Sequence, residues 1–307
     1  MRKRKMTTIN PHNFGKTTRQ GLNVFCCPPI TLVVTMLTCR ADEPRMFFMT
    51  ARPIDVYCRQ IERELQAGNA TQHTHRPALK TLIESLGSGA EKDVLNGQRA
   101  HWQRTFSLRP EMFGENVSEA ARKAAETFRQ ANKVSVLELG AGQGRDTLHF
   151  VRSGFRVCAL DYAESGLAEI SKKVAALGQS EYVSTVCHDV RRPLPFPDAH
   201  FDACYSHMLF CMALTTVELE HLSAEVRRVL MPGGVCVYTV RHKGDAHYRT
   251  GTHRGEDMYE VGGFVVHFFD REKVEHLAEG FEILGIDEFE EGRMPRKLFR
   301  VTMRKTG

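Results

Sequence analysis

From Val134 to Lys305 the chain alternates short apolar runs with amphipathic stretches, and that alternation predicts strands and helices in turn. VSVLEL (134–139), RVCALD (156–161), YVSTVCHD (182–189), FDACYS (201–206) and GGVCVYTVR (233–241) read as strands. Between them RDTLHFVRSG, AESGLAEISKKVAALG and TTVELEHLSAEVRRVL read as helices, the last with Leu219, Leu222, Val226 and Leu230 on one face. A further helix, DREKVEHLAEG, precedes FEILGIDEFEE and KLFRVTMRK, two strands joined around EGRMPR. Upstream, Ser118 caps a helix reaching about Gln130. Strands that alternate with helices imply right-handed βαβ units, hence a doubly wound α/β sheet, mostly parallel, closed by an antiparallel pair.

The amino-terminal third reads differently. Residues 1–50 show no sustained period and are expected to be a disordered or poorly defined extension. Residues 51–95 are expected to be a helical segment and linker. Ile54, Tyr57, Ile61 and Leu65 follow helical spacing, and Leu79, Leu82, Ile83 and Leu86 repeat it after the turn GNATQHTHRPAL. Residues 96–307 then form the α/β domain.

Charge narrows the partners. The chain of 307 residues carries 42 Lys/Arg against 37 Asp/Glu, a net +5. Six of the basic residues fall in the first twenty positions, with no acid among them; without these the balance is 36 against 37. The body has no basic excess to meet a phosphate backbone, which disfavours nucleic acid. The nine cysteines show no paired spacing, so they suggest neither a disulfide framework nor a zinc knuckle, and a reducing cytoplasm fits them. The apolar run Asn23–Leu37 after the basic start mimics a signal peptide. It is too short to span a bilayer, holds Pro28 and Pro29, and meets no small-x-small cleavage site.

The most informative stretch is VLELGAGQGRD, where a strand becomes a helix. Its core is Glu138-x-Gly140-x-Gly142-x-Gly144, flanked by Ala141 and Arg145. Glycine lets the backbone turn tightly and approach a ligand with no side chain between. A dinucleotide turn in this register requires Gly at position 145, where Arg145 stands. Asp161, followed by Tyr162, ends the second strand, where a carboxylate can accept both hydroxyls of a ribose. Asp189 and Val190 follow the third strand, placed for an adenine amino group and ring. MPGG (Met231–Gly234) precedes the fifth strand.

With these motifs, residues 134–305 resemble the class I, seven-stranded, S-adenosylmethionine-dependent methyltransferases. The domain is similar to their small-molecule branch, of the methyltransferase type 11, tellurite-resistance and thiopurine kind. The resemblance implies S-adenosylmethionine as cofactor and a sheet order 3-2-1-4-5-7-6 with strand seven antiparallel. It implies cofactor contacts by Glu138, Gly140, Gly142, Asp161 and Asp189, and an acceptor over the ends of strands four and five. Residues 53–87 separately resemble the amino-terminal helical segment of some bacterial restriction-associated adenine-specific DNA methylases. The tetrad [DN]-P-P-[YW] of amino-methylating DNA enzymes is absent: the fourth strand runs into Tyr205-Ser206-His207-Met208-Leu209-Phe210.

For the acceptor, His207 reads either as a general base or as a structural residue, and Tyr205 either as a contact to the cofactor's methionine end or not. Met208, Phe210 and Met212 read as pocket lining or as core. The aromatics of Trp102–Phe113 are expected to close over the cofactor. The stretch RHKGDAHYRTGTHRGEDMYE (241–260) is richest in polar chemistry. His242, His247 and His253 lie in a Gly-containing loop without zinc spacing, so no metal is assigned. It is expected to form a lid over the acceptor, with Arg241, His242, Asp245, His247 and Tyr248 first in line and Glu256, Tyr259 and His267 second. Gly262-Gly263 reads as a hinge or a turn. A small acceptor such as a thiol or another soft S, Se or Te nucleophile is favoured; arsenite needs a third thiolate beside Cys204 and Cys211. RNA or protein methylation and a non-catalytic cofactor-binding module are the alternatives.

Overall fold

The computed structural model describes residues 33–34, 47–48, 94–95, 97–109, 111–292 and 296–307. The chain divides into two compact units, 1–86 and 87–307. In the first, a two-residue antiparallel ladder pairs Val33 with Phe48 and Val34 with Phe47. The helices expected over 53–87 lie outside the described residues.

In the second unit, helix α1 (97–108) leads to α2 (Glu119–Gln130). The α2 cap is Ser118, whose Oγ accepts from Ala121 N at 2.9 Å. Ala120, Ala121, Ala124, Ala125 and Phe128 are its buried stripe. Then follow β1 (Ser135–Leu139), α3 (Arg145–Arg152), β2 (Arg156–Asp161), α4 (Glu164–Ala176) and β3 (Val183–Cys187). After them come β4 (Phe201–His207), α5 (Thr216–Val229) and β5 (Leu230–Arg241). A reciprocal capping box of Thr215 and Glu218 fixes the start of α5.

A small antiparallel sheet is inserted next: β6 (Thr252–His253), β7 (Met258–Val261) and β8 (Phe264–His267). The histidine-rich stretch is therefore partly strand, not wholly loop. Val261 pairs with Phe264, so Gly262 and Gly263 are the two-residue hairpin turn, both with positive φ (60° and 85°). That pattern matches the twist of the flanking strands and removes the hinge reading. Helix α6 (Arg271–Leu277), capped by Asp270, precedes β9 (Phe281–Glu291) and β10 (Arg296–Lys305).

The main sheet runs β3-β2-β1-β4-β5-β10-β9. Counting its strands alone in chain order this is 3-2-1-4-5-7-6, as the resemblance implied. The first five strands are parallel, and β10 lies antiparallel between β5 and β9. Successive residues of β1 serve opposite faces: Leu137 and Leu139 join the core under α5, and Val136 joins the core under α2 and α3. Glu138 therefore shares a face with Val136, and its register partner on β4 is Tyr205. Among the described residues no helix is long and apolar enough to cross a membrane. Cys158, Cys204, Cys211 and Cys236 are buried and free; Cys187 is exposed and free.

Candidate active site

The carboxyl ends of the parallel strands open onto a cavity of about 770 Å³, within the ~300–1,000 Å³ usual for small-molecule sites. Its floor is the turn after β1. Gly140 N and Ala141 N donate to Leu160 O at 2.8 and 3.2 Å, and Gly142 N donates to Asp161 Oδ2 at 2.9 Å. Gly142 has φ 55°, where a side chain costs strain, and it faces the cavity. Asp161 Oδ1 accepts from Ala163 N at 2.8 Å, so the end of β2 is locked to the turn while burial pushes its carboxyl pKa up. Glu138 accepts from Thr147 Oγ1 at 2.6 Å, and burial pushes its carboxyl up to about 8. Glu138, Gly140, Ala141, Gly142, Arg145, Asp161, Tyr162 and Val190 all line the cavity.

Other expected contacts lie elsewhere. Gly144 is behind the turn: a Cβ there would stand 2.7 Å from Ile170 Cγ1. Asp189 does not line this cavity. Its carboxylate is gripped by Arg191 (Nε–Oδ1 3.0 Å, Nη2–Oδ2 2.6 Å), which outweighs burial and holds it below the usual carboxylate range. Tyr205 is fully buried under α2 and α3; its hydroxyl donates to Asp146 Oδ2 at 3.0 Å and contacts Ser118 Oγ. Its register beside Glu138 puts it on the face that α2 and α3 cover, two residues short of His207, which reaches the cavity. Arg145 lines the cavity with its guanidinium committed to Asp146 (2.9 and 3.0 Å). Burial alone would raise the Asp146 carboxyl, and Arg145 outweighs it, leaving the pKa at about 2.

The stretch after β5 splits in two. Arg241 and His247 line the cavity; His242, Asp245 and Tyr248 do not. The His242 ring stacks on Phe299 (4.6 Å), and its Nδ1 accepts from Gly244 N. Tyr248 donates to Asp257 Oδ1 at 2.8 Å and packs on Tyr259 and Phe268. His267 is wholly buried, donating from Nδ1 to Leu214 O (2.7 Å) and accepting from Lys273 Nζ (2.5 Å). Glu256 accepts from Thr216 N. These residues are framework, because the meander needs its polar groups paired as it packs. Phe210 stacks on Tyr238 in the core, whereas Met208 and Met212 line the cavity. Cys204 and Cys211 are core residues outside it.

Three histidines line the cavity, His188, His207 and His247, and the last two have ring nitrogens engaged by neighbours. His207 Nδ1 lies 2.9 Å from Thr239 Oγ1, and its Nε2 lies 3.1 Å from Glu291 Oε2. Burial alone would raise the Glu291 carboxyl, and His207 beside it holds it below the ordinary range. His247 Nδ1 lies 3.0 Å from Arg241 Nη2. A guanidinium only donates, so Nδ1 is the acceptor and the ring proton sits on Nε2.

The roof is aromatic. Trp102, Phe106 and Phe113 line the cavity, with Trp102 5.3 Å from Phe106 and 4.9 Å from Phe264 of the meander. Gln143 ties this roof to the glycine turn: its Nε2 donates to Arg109 O at 3.0 Å, and its Oε1 accepts from Met112 N at 3.0 Å. Gln143, Asp146, His188, Glu291 and Arg296 escaped the sequence reading. Only Gln143 and Asp146 carried a signal, by standing in and beside the glycine motif. His188 lines the cavity with a buried Nε2 that has no hydrogen-bond partner among the described residues. Among those residues no group of three or more His, Cys, Asp or Glu is placed to hold a metal ion.

Known proteins agree with this architecture. Residues 136–234 match the family described as Methyltransferase domain. An uncharacterized methyltransferase of Synechocystis sp. is 30% identical over 108 residues, 35% of this chain and 47% of that protein. The phosphoethanolamine N-methyltransferase of Triticum aestivum is 37% identical over 101 residues, 33% of this chain and 19% of that protein. The chain thus spans less than half the length of these two relatives. Among solved structures, the 1,6-didemethyltoxoflavin-N1-methyltransferase of Burkholderia thailandensis, with S-adenosylhomocysteine bound, superposes with a TM-score of 0.54 at 20% identity. That match covers 68% of this chain and 88% of that one. A SAM-dependent methyltransferase of Methanosarcina mazei gives 0.51 at 18% identity, covering 57% and 93%. The matched motif, the strand order and the cavity at the strand ends together place a class I S-adenosylmethionine-dependent methyltransferase domain in this chain.

Proposed function

We propose that the protein methylates a small, soft nucleophile, a thiol or its heavier analogue, in a reducing cytoplasm. The observation that carries this reading is the state of the two cavity histidines at the end of β4 and after β5: His207 is held between Thr239 and Glu291, and His247 has its proton fixed on Nε2, while His188 follows β3 on the cofactor side. Neither of the first two presents a free lone pair to an acceptor. An oxygen or nitrogen acceptor that must lose a proton would demand such a base. A thiol, with an ordinary pKa of about 8.5, supplies its own thiolate near neutrality.

The residues present fit the cofactor. The bare Gly142 backbone admits close approach, Asp161 retains lone pairs beyond its two backbone bonds, and the orphaned His188 Nε2 awaits a partner. In this reading Asp161 takes the ribose hydroxyls, and Gly140, Ala141 and Gly142 face the cofactor. Tyr162 and Val190 supply the apolar wall. Gly144, Arg145, Asp189 and Tyr205 hold the frame. Glu138, proton-bearing at neutral pH, can donate as well as accept a hydrogen bond. When bound, S-adenosylmethionine supplies an electrophilic methyl group. Trp102, Phe106 and Phe113 exclude water, while Leu209, Met208 and Met212 form an apolar wall for the acceptor. Catalysis is then chiefly alignment.

A screen of thiols, amines and carboxylic acids with product mass detection tests the proposal. Methylated thiols are expected. Methylation of amines or carboxylates with thiols untouched would overturn it.

A further inference from the structure

The cavity carries a positive charge with no carboxylate partner among the described residues. Arg296 opens β10 and lines the cavity. Among the described residues it has no carboxylate within 4.0 Å; its guanidinium reaches Met208 Sδ at 3.7 Å. Its register partner on β9 is Glu291, the natural cross-strand mate, but that carboxylate faces His207 at 3.1 Å. The neighbouring Glu290 is exposed and also lines the cavity.

Glu290 and Glu291 line the cavity with Arg296, and the further carboxylate at the start of β10, Asp245, is already filled. Asp245 takes Arg241 Nε at 3.1 Å, Arg241 Nη2, His247 N at 2.8 Å and Lys297 N at 2.9 Å. Arg241 Nη2 also fixes His247 with its proton on Nε2, for which no hydrogen-bond partner exists among the described residues. Arg241 pairs in register with Leu298, two residues beyond Arg296, and both arginines line the cavity. Lys297, next to Arg296, accepts from His242 N, so the start of β10 is stitched to the end of β5.

The cluster meets the segment that follows β4. Leu209 stands against the glycine turn, 3.0 Å from the point where a Gly140 Cβ would be, and its neighbour Met208 meets Arg296. We infer that Arg296, with the Nε2–H of His247 in the same cavity, binds an anionic group of the acceptor, a carboxylate or a phosphate. This rests on the acceptor occupying the part of the cavity that Arg296 lines. A planar fork of donors suits both oxyanions. The methyl acceptor is then a small acid anchored by its charge.

The test is calorimetric titration of the full chain, saturated with S-adenosylhomocysteine, using benzoate, phenyl phosphate and benzyl alcohol as probes. At least one anion should bind, and the alcohol should bind about tenfold more weakly or worse. Arg296→Gln should weaken the anion by about 10–100-fold and leave the alcohol unchanged, and Arg296→Lys should retain part of the affinity. The stronger of the two anions tells carboxylate from phosphate. Thermal melts and unchanged S-adenosylhomocysteine affinity show that the variants are intact. The inference is overturned if neither anion binds, if the alcohol binds as well, or if the variants bind the anion like the native chain. It is also overturned if Arg296→Gln loses S-adenosylhomocysteine affinity, which would make the cofactor's own carboxylate the partner. Failure of the native chain to bind S-adenosylhomocysteine would sink the methyltransferase reading instead. The same titrations without it would then still judge Arg296.

Discussion

A Cβ on Gly166 would stand 2.3 Å from the carbonyl oxygen of Gly142. The first turn of α4 thus presses on the glycine turn from behind, with Phe106 3.3 Å away on the same side. Backbone cannot yield as a side chain can, so Gly166→Ala should push Gly142 into the cavity. The expected cost is about 1–3 kcal/mol of stability, with a matching loss of S-adenosylhomocysteine affinity. Thermal denaturation and calorimetry read both; native affinity in the variant would show that the turn tolerates displacement.

Glu138 makes stability depend on pH. Its folded pKa of about 8 lies above the ordinary 4.5, so between those values the folded state binds a proton that the unfolded state has released. Its contribution is full below pH 4.5 and is lost as pH rises towards about 8. Glu138→Gln keeps an acceptor for Thr147 and removes the ionisation. The ligand-free variant should gain stability over the native chain on the order of 3 kcal/mol at about pH 9 and little at about pH 4. Urea denaturation at the two pH values checks this. An equal difference at both would exclude the proton-linked origin.

His247 should be dispensable as a base. Glutamine can accept from Arg241 through its oxygen and offer an N–H where Nε2–H stands. His247→Gln should therefore keep kcat/KM within about fivefold, whereas loss of a general base costs ~10²–10⁴-fold. A drop of the second size, measured on any methylated thiol, would restore the base reading.

The sole tryptophan of the chain, Trp102, lines the cavity. Its emission should respond to S-adenosylhomocysteine in a saturable way. Trp102→Phe should abolish the signal while calorimetric binding persists. An unresponsive Trp102 alongside calorimetric binding would place the cofactor away from the aromatic roof.

The donor side of the site was legible because it is local in sequence. Glu138 to Arg145 is one strand end and its turn, and Asp161 follows within the next βα unit, so spacing alone brings them together. The acceptor side was not legible. Arg296 meets Met208, and His207 meets Glu291, across strands far apart in the chain. Tyr205 misled because its neighbour His207 does reach the strand ends, whereas Tyr205 itself is turned beneath α3. The meander hid behind Gly251, Gly255 and two-to-four-residue strands too short for alternation to register, although MYEV-GG-FVVH is a hairpin signal.

The Trp102–Phe264 contact joins two segments that lie outside the matched stretch 136–234, one before it and one after it. Arg241, His247, Glu291 and Arg296 lie outside it as well. On the proposed reading, much of what meets the recipient is thus written outside the stretch that carries the donor turn, with Met208, Leu209 and Met212 the part written inside it. Grafting 97–113 and 241–296 onto another member of the fold should transplant selectivity while leaving the donor machinery in place. Kinship measured over 136–234 alone leaves out Arg241, His247 and Arg296, the residues that on this reading meet the recipient.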